Sequence, residues 1–272
     1  MRLDLHVHST ASDGAWSPAQ VVRGAAAGRL DVVAIADHDT AAGFVEAEPV
    51  GRELGVQVVP AIEISSTHGG RDVHILGYFV DPAAPALRQH AERALGRREA
   101  RMREMLERLR AQAIDIRYEA VEAAAGPDRV VIGRPHLARA LVSAGHAASV
   151  AEAFDSLIGD DKPAFVPTHV LGPADAVRVV AAAGGVPVWA HPPAELIDAL
   201  LPELMRAGLR GLEVYRPKGH RHDVPRLEGL CRSTGLLPTG GSDWHSPEGG
   251  TALGDFFVTG DEVEGLLAAG GM

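Results

Sequence analysis

Apolar and polar positions follow two rhythms along this chain. Short β-branched runs are followed by Ala- and Leu-rich stretches whose apolar residues recur at helical spacing. Strands are expected at residues 2–8, 32–36, 56–64 and 73–79, and again at 186–190, 212–215 and 237–239. Helical patterns fall at 18–28, 40–54, 174–183, 196–207 and 223–234. Ser17 before Pro18 supplies an N-cap and a first helical residue whose missing N–H costs nothing there. Strands separated by helices of this length imply parallel pairing, and this many units favour a closed barrel over an open sheet.

The rhythm breaks between about residues 81 and 168. Residues 86–112 form one long charge-laced helical pattern, with RREARMREMLERLR in its second half, and shorter helical patterns follow at 119–125, 135–143 and 150–157. The expected organisation is a barrel in two parts, residues 1–80 and 169–272, with a small helical insert (81–168) as a cap. The charge run itself reads as a solvated helix face rather than a nucleic-acid contact.

Composition narrows the function classes. The 26 basic and 36 acidic residues give a formal charge of −10, which disfavours duplex DNA held on a basic surface. A phosphorylated small molecule stays open, because bound cations would reverse the local field. Cys231 is the single cysteine, so neither an internal disulfide nor a thiolate-rich metal site is available, and a reducing compartment fits. The first residues lack the apolar stretch of a signal peptide and no run is long enough to cross a membrane, so a cytoplasmic protein is expected.

The chemistry lies in His, Asp and Glu at strand ends. His6 and His8 alternate on one strand and leave it on the same face. Asp13 follows that strand, His38 ends the next, Glu63 ends the third and His74 begins the fourth. His191 closes a later strand ahead of two prolines, and Asp243 and His245 follow the last. Barrel enzymes place their active sites at the carboxyl ends of their strands. A lone strand-end histidine or aspartate is ordinarily a core, cap or turn residue; six histidines and three carboxylates on one rim are not explained that way. Imidazole and carboxylate without thiolate suit Mn, Fe or Zn, and nine donors fit two or three divalent ions. Such a cluster binds phosphate and lowers the pKa of a bridging water.

The motifs DLHVHS, SDG, ADHD, EIS, HILGY, AHP and GSDWH, in this order, resemble the PHP (polymerase and histidinol phosphatase) family over nearly the whole chain. The resemblance implies an α/β fold, a distorted seven-stranded (β/α) TIM-like barrel, with a trinuclear metal site. By motif, His6, His8, Glu63 and Asp243 would hold one ion, Glu63 with His74 and His191 a second, and Asp13, His38 and His245 a third. Ala36 stands where relatives often carry Thr.

In the insert, GRPH opens a helix at Arg134, whose planar guanidinium suits a phosphate. His136 would orient substrate or cap the helix, and His220, in EVYRPKGH, would touch phosphate or protonate a leaving group. Length, insert and GRPH resemble the subgroup that removes phosphate from nucleoside 3′,5′-bisphosphates, some members of which trim short RNA from the 5′ end. The implied reaction is attack of a metal-bridging hydroxide on a nucleotide phosphomonoester. Histidinol-phosphate hydrolysis is the nearest alternative, and a module acting with a polymerase partner is an alternative of another class. Oligomeric state is left open.

Overall fold

The computed structural model describes every residue except 128–129, 161, 168–170, 218–222 and 250. Eight strands form one sheet in the order β7-β6-β5-β4-β3-β2-β1-β8. They are β1 (Arg2–Val7), β2 (Val32–Ile35), β3 (Gln57–His68), β4 (Arg71–Tyr78), β5 (Val186–Trp189), β6 (Gly211–Tyr215), β7 (Leu237–Gly240) and β8 (Val258–Thr259). Around them run α1 (Pro18–Ala27), α2 (Ala42–Leu54), α7 (Pro173–Ala182), α8 (Ala194–Ala207), α9 (Val224–Thr234) and α10 (Glu264–Ala269). Ser17 caps α1, accepting from the Gln20 N–H while the Gln20 side chain accepts from the Ser17 N–H.

Pairing is parallel for β1–β2, β2–β3, β5–β6 and β6–β7. The expectation that strands separated by helices pair in parallel fails across the insert, where β4 runs antiparallel to β5; β4 is antiparallel to β3 as well. The reason is local. Between β3 and β4 there is no crossover helix, only Gly69 and Gly70, with φ of 57° and 82°. Positive φ at both central positions makes the tight turn that joins antiparallel strands.

The barrel closes at β1. Its edge facing away from β2 is taken at the bottom by β8, which pairs with Arg2 and Leu3. At the top it is taken by the run after β7: the Asp243 N–H donates to His6 O at 2.8 Å and the His8 N–H to Trp244 O at 2.9 Å. Gly241 permits this, since a Cβ there would collide with His6. Two residues of β8 carry too little pattern to be read from sequence. Inside the barrel Leu3, Leu5, Val32, Ala34, Ala61, Leu76 and Val188 pack together, while Val33 and Ile35 of β2 pack outward with Val21 and Val22 of α1 and Ala47 of α2.

Between residues 85 and 158 the elements among the described residues are helices: α3 (Pro85–Arg110), α4 (Tyr118–Ala125), α5 (Arg134–Ser143) and α6 (Val150–Ala153), which runs into a wider π-helical turn at Phe154–Ile158. They have an apolar core of their own, with Met102, Met105, Leu109, Leu137 and Leu141 fully or almost fully buried. No described helix is long and apolar enough to cross a membrane.

Candidate metal centre

The upper end of the barrel gathers all nine sequence-predicted ligands. His6 and His8 reach it through an irregularity. In β1 the inward face holds Leu3 and Leu5, so strict alternation would turn His6 outward; the register against β2 shifts between Asp4 and Val7. A bulge of this kind re-aims the following side chains, and His6 and His8 both end fully buried in the centre. Glu63 extends the inward face of β3. His74 comes from the start of β4, which lies on the same rim as the other strands' ends because β4 is antiparallel; it pairs with Ser65. His191 and Asp243 follow β5 and β7 with φ of 31° and 55°. Side chains other than Gly rarely adopt this region, and strain of this kind clusters at functional sites.

Around Glu63 the donors stand close. His6 Nε2 and His8 Nε2 are 3.2 Å apart, and Asp243 Oδ1 lies 3.4 and 3.2 Å from them. Glu63 Oε1 is 3.5 Å from His6 Nε2, and Glu63 Oε2 is 3.4 Å from His8 Nε2. On its other side Glu63 Oε1 meets His74 Nδ1 at 3.0 Å and His191 Nε2 at 3.1 Å. Asp13 Oδ1 is 3.5 Å from His245 Nε2, and Asp13 Oδ2 is 3.7 Å from His38 Nε2. The other His38 nitrogen, Nδ1, lies 3.0 Å from Glu63 Oε2, yet neither atom has a hydrogen-bond partner although both are buried.

Donors of a four-coordinate ion bound at about 2.1 Å stand roughly 3.4 Å apart, which is the spacing here. Orphaned buried atoms and facing imidazole nitrogens are what a bound cation would satisfy. Among the described residues three groups have ligand atoms close enough to hold an ion: His8, Asp13, His38 and His245; His6, His8 and Asp243; His38, Glu63 and His74. The residues therefore fit divalent cations, the cofactor class expected of a metal-dependent phosphoesterase.

Electrostatics agree with ligand duty. Burial would raise the Asp13 carboxyl, but His38, His245 and His8 outweigh it and hold Asp13 well below the carboxylate range. Glu63 and Asp243 are likewise kept ionised against burial, chiefly by His74 and by His6 respectively. Burial pulls His38 down to about 3 despite Glu63 and Asp13, leaving a neutral imidazole with a free lone pair.

Sequence reasoning missed the layer behind the ligands. Glu213, fully buried on β6, holds His6 Nδ1 at 2.8 Å and accepts from the His191 N–H at 2.8 Å. It fixes the His6 tautomer so that Nε2 faces the cluster. The signal was an acid in the otherwise apolar strand of the EVY motif. Asp37 accepts from the Ser9 N–H and the Ser9 and Ser12 hydroxyls, bracing the first loop. Asp39 accepts from His90, Arg98 and the Ser65 N–H, tying α3 to the rim.

The insert completes a cleft of about 330 Å³ whose lining includes Asp13, Glu63, His74, Arg98, Arg101 and Arg134. Arg134 opens α5 at the cleft, donating to Asp160 at 2.6 Å and to Asp72 at 3.3 Å. His136 is buried, and its Nδ1 accepts from the Gly133 N–H at 2.9 Å, the capping arrangement. His220 lies outside the described residues, as do Lys218 and His222. The solvated-face reading of α3 holds for the exposed pairs Arg103–Glu99 and Arg108–Glu104. It fails for Arg98 and Arg101, which turn inward.

Residues 4–78 match the PHP domain family. A 5′-3′ exoribonuclease of Haemophilus influenzae is 32% identical over 93% of this chain and 93% of its own length. A 3′,5′-nucleoside bisphosphate phosphatase of Chromobacterium violaceum is 33% identical, covering 93% and 90%. A phosphoribosyl 1,2-cyclic phosphate 1,2-diphosphodiesterase of Eggerthella lenta is 38% identical, covering 90% and 95%. Among solved structures, a chain from Bifidobacterium adolescentis described as a metal-dependent phosphoesterase superposes with a TM-score of 0.87 at 32% identity, covering 98% and 96%.

Proposed function

Because the chain belongs to the PHP family of metal-dependent phosphoesterases, we propose that its cleft removes the 3′-phosphate of nucleoside 3′,5′-bisphosphates and also trims short RNA from the 5′ end. The enzyme is a phosphoric ester hydrolase. One observation carries the finer reading: the cleft has two faces. The barrel offers imidazoles and carboxylates, while the insert, acting as a cap, offers the guanidinium groups of Arg98, Arg101 and Arg134. A substrate with two phosphates matches both faces at once. The phosphatase and exoribonuclease relatives support that choice.

His6, His8, Glu63 and Asp243 are proposed as ligands of one divalent ion, Glu63, His74 and His191 of a second, and Asp13, His38 and His245 of a third. Mn²⁺ is the proposed ion, with Fe and Zn competing for the same donors. Bound ions would supply an acidified water and offset the charge growing on the phosphoryl oxygens. The remaining tasks fall to the chain. Arg134 exchanges its carboxylate partners for phosphate oxygens, the N-terminus of α5 adds backbone donors for an anion, and His136 holds that helix start in place. His220 is assigned, from its motif, to the leaving oxygen.

The test is a panel assay on metal-stripped protein reloaded separately with Mn²⁺, Fe²⁺ or Zn²⁺. Adenosine 3′,5′-bisphosphate, a 5′-phosphorylated oligoribonucleotide, histidinol phosphate and a phosphoribosyl 1,2-cyclic phosphate are compared. The highest kcat/KM is expected for the bisphosphate, with release from the 3′ position. A preference for histidinol phosphate or for the cyclic ester would overturn the assignment.

A further inference from the structure

The two carboxylates that flank His38 are anchored to different parts of the molecule. Asp37 is held by Ser9 and Ser12 of the first barrel loop. Asp39 is held largely by the insert. His90 Nε2, on α3, lies 2.8 Å from its Oδ1, and Arg98 Nε donates to its Oδ2 at 2.7 Å. A carboxylate accepts, so Nε2 of His90 carries the proton.

The backbone shows why Asp39 needs this grip. Its φ is 57°, a conformation that costs a residue with a side chain about 1–2 kcal/mol and persists only where the surroundings over-determine it. The Asp39 N–H donates to Glu63 O at 2.8 Å, and its carboxylate accepts from the Ser65 N–H at 2.9 Å. The turn that presents His38 beside Glu63 is therefore fixed by two side chains of α3.

The insert takes a second hold on the same side of the centre. Arg139, on α5, brings both terminal nitrogens within 3.5 Å of the Asp13 carbonyl oxygen. The Val130 N–H donates to Ala11 O at 3.1 Å. Asp13 and His38 are two of the three residues proposed for one ion. His6 and His191, proposed for the other two, are braced from within the barrel by Glu213. Arg98 also lines the cleft, whereas His90 is buried with its donor engaged on Asp39.

We infer that His90 is a positioning residue: through Asp39 it couples the seating of α3 to the ion proposed at Asp13, His38 and His245. Such coupling is reciprocal, so the insert tightens this ion and the ion steadies the insert. The inference rests on the ligand assignment above and not on the nucleotide reading.

Two measurements on metal-stripped, full-length protein test it. Equilibrium dialysis against Mn²⁺ resolves the ion affinities. His90→Ala is expected to weaken one class of site about tenfold, the lower end of what an outer partner contributes to metal affinity, and to leave the other classes unchanged. His90→Gln, whose amide can still donate to Asp39, should restore most of the loss, and Glu213→Gln should weaken a different class. Hydrogen exchange reads the converse: Mn²⁺ should slow exchange of the α3 amides in the wild type and far less in His90→Ala. If the Ala variant does not fold, His90→Asn, whose amide stops short of Asp39, takes its place. Unchanged affinities, equal weakening of every class, or no rescue by Gln would overturn the inference alone and reduce His90 to a packing residue of the insert. A wild-type chain that binds no Mn²⁺ would overturn the ligand assignment and the inference together.

Discussion

The division of labour is sharpest between residues that touch the cluster and those that aim them. Asp13→Ala and His191→Ala should each abolish most turnover while far-UV circular dichroism stays native, because these side chains are proposed to serve the ions and lie outside the apolar core. Near-normal turnover in either would show that the cluster is misassigned. Glu213→Gln keeps the shape but weakens the grip on His6 Nδ1. Loss of such an outer partner typically lowers metal affinity about 10–100-fold, which Mn²⁺ titration would show. Arg134→Ala should lower kcat/KM by about 1.5–3 kcal/mol of transition-state binding. The nine cluster side chains were legible in the sequence because each sits in a short motif at a strand end. Glu213, Arg98 and Arg101 were not, since a buried charge and a solvated one look alike until the partner is known. In retrospect Arg98 lies on the buried stripe of α3 that also carries Ala94, Met102, Met105 and Leu109.

Among the elements, the β3–β4 hairpin does the most positioning. It carries Glu63, Ser65, His74 and Asp72 on one face, held by eight paired positions and turned by Gly69 and Gly70. A β-branched residue at Gly70, where φ is 82°, should cost about 1–2 kcal/mol, read as a lower urea midpoint for Gly70→Val. The turn is present in the sequence as HGGR, and no helical pattern separates the two strands there. Helix α9 offers a probe of its packing. Burial, reinforced by Glu228, pushes the Cys231 thiol up to about 11. A raised folded-state pKa disfavours the thiolate, so iodoacetamide at pH 8 should label native protein far more slowly than protein unfolded in urea. Equal rates would place Cys231 in solvent.

Across the whole molecule, the cluster brings Asp13, Glu63, Asp243 and six imidazoles together from strand ends spread over the chain, so cation binding should act as a clamp on the barrel. An ion at a hundred times its Kd stabilises the folded state by about 2.7 kcal/mol. At roughly 2–4 °C per kcal/mol for chains of this size, the thermal midpoint should rise by some degrees when Mn²⁺ is restored to chelator-treated protein. No rise would mean that the ions bind folded and unfolded chains alike. The sequence by itself determined the alternating barrel, the helical stretch between its parts and the nine donors of the cluster, because periodicity and short motifs are local and survive in one dimension. Only the tertiary structure decided that β4 reverses, that a bulge in β1 turns His6 and His8 inward, and that Arg98 and Arg101 face a cleft. Those outcomes depend on which surfaces meet, and the meeting of surfaces far apart in the chain leaves no local pattern.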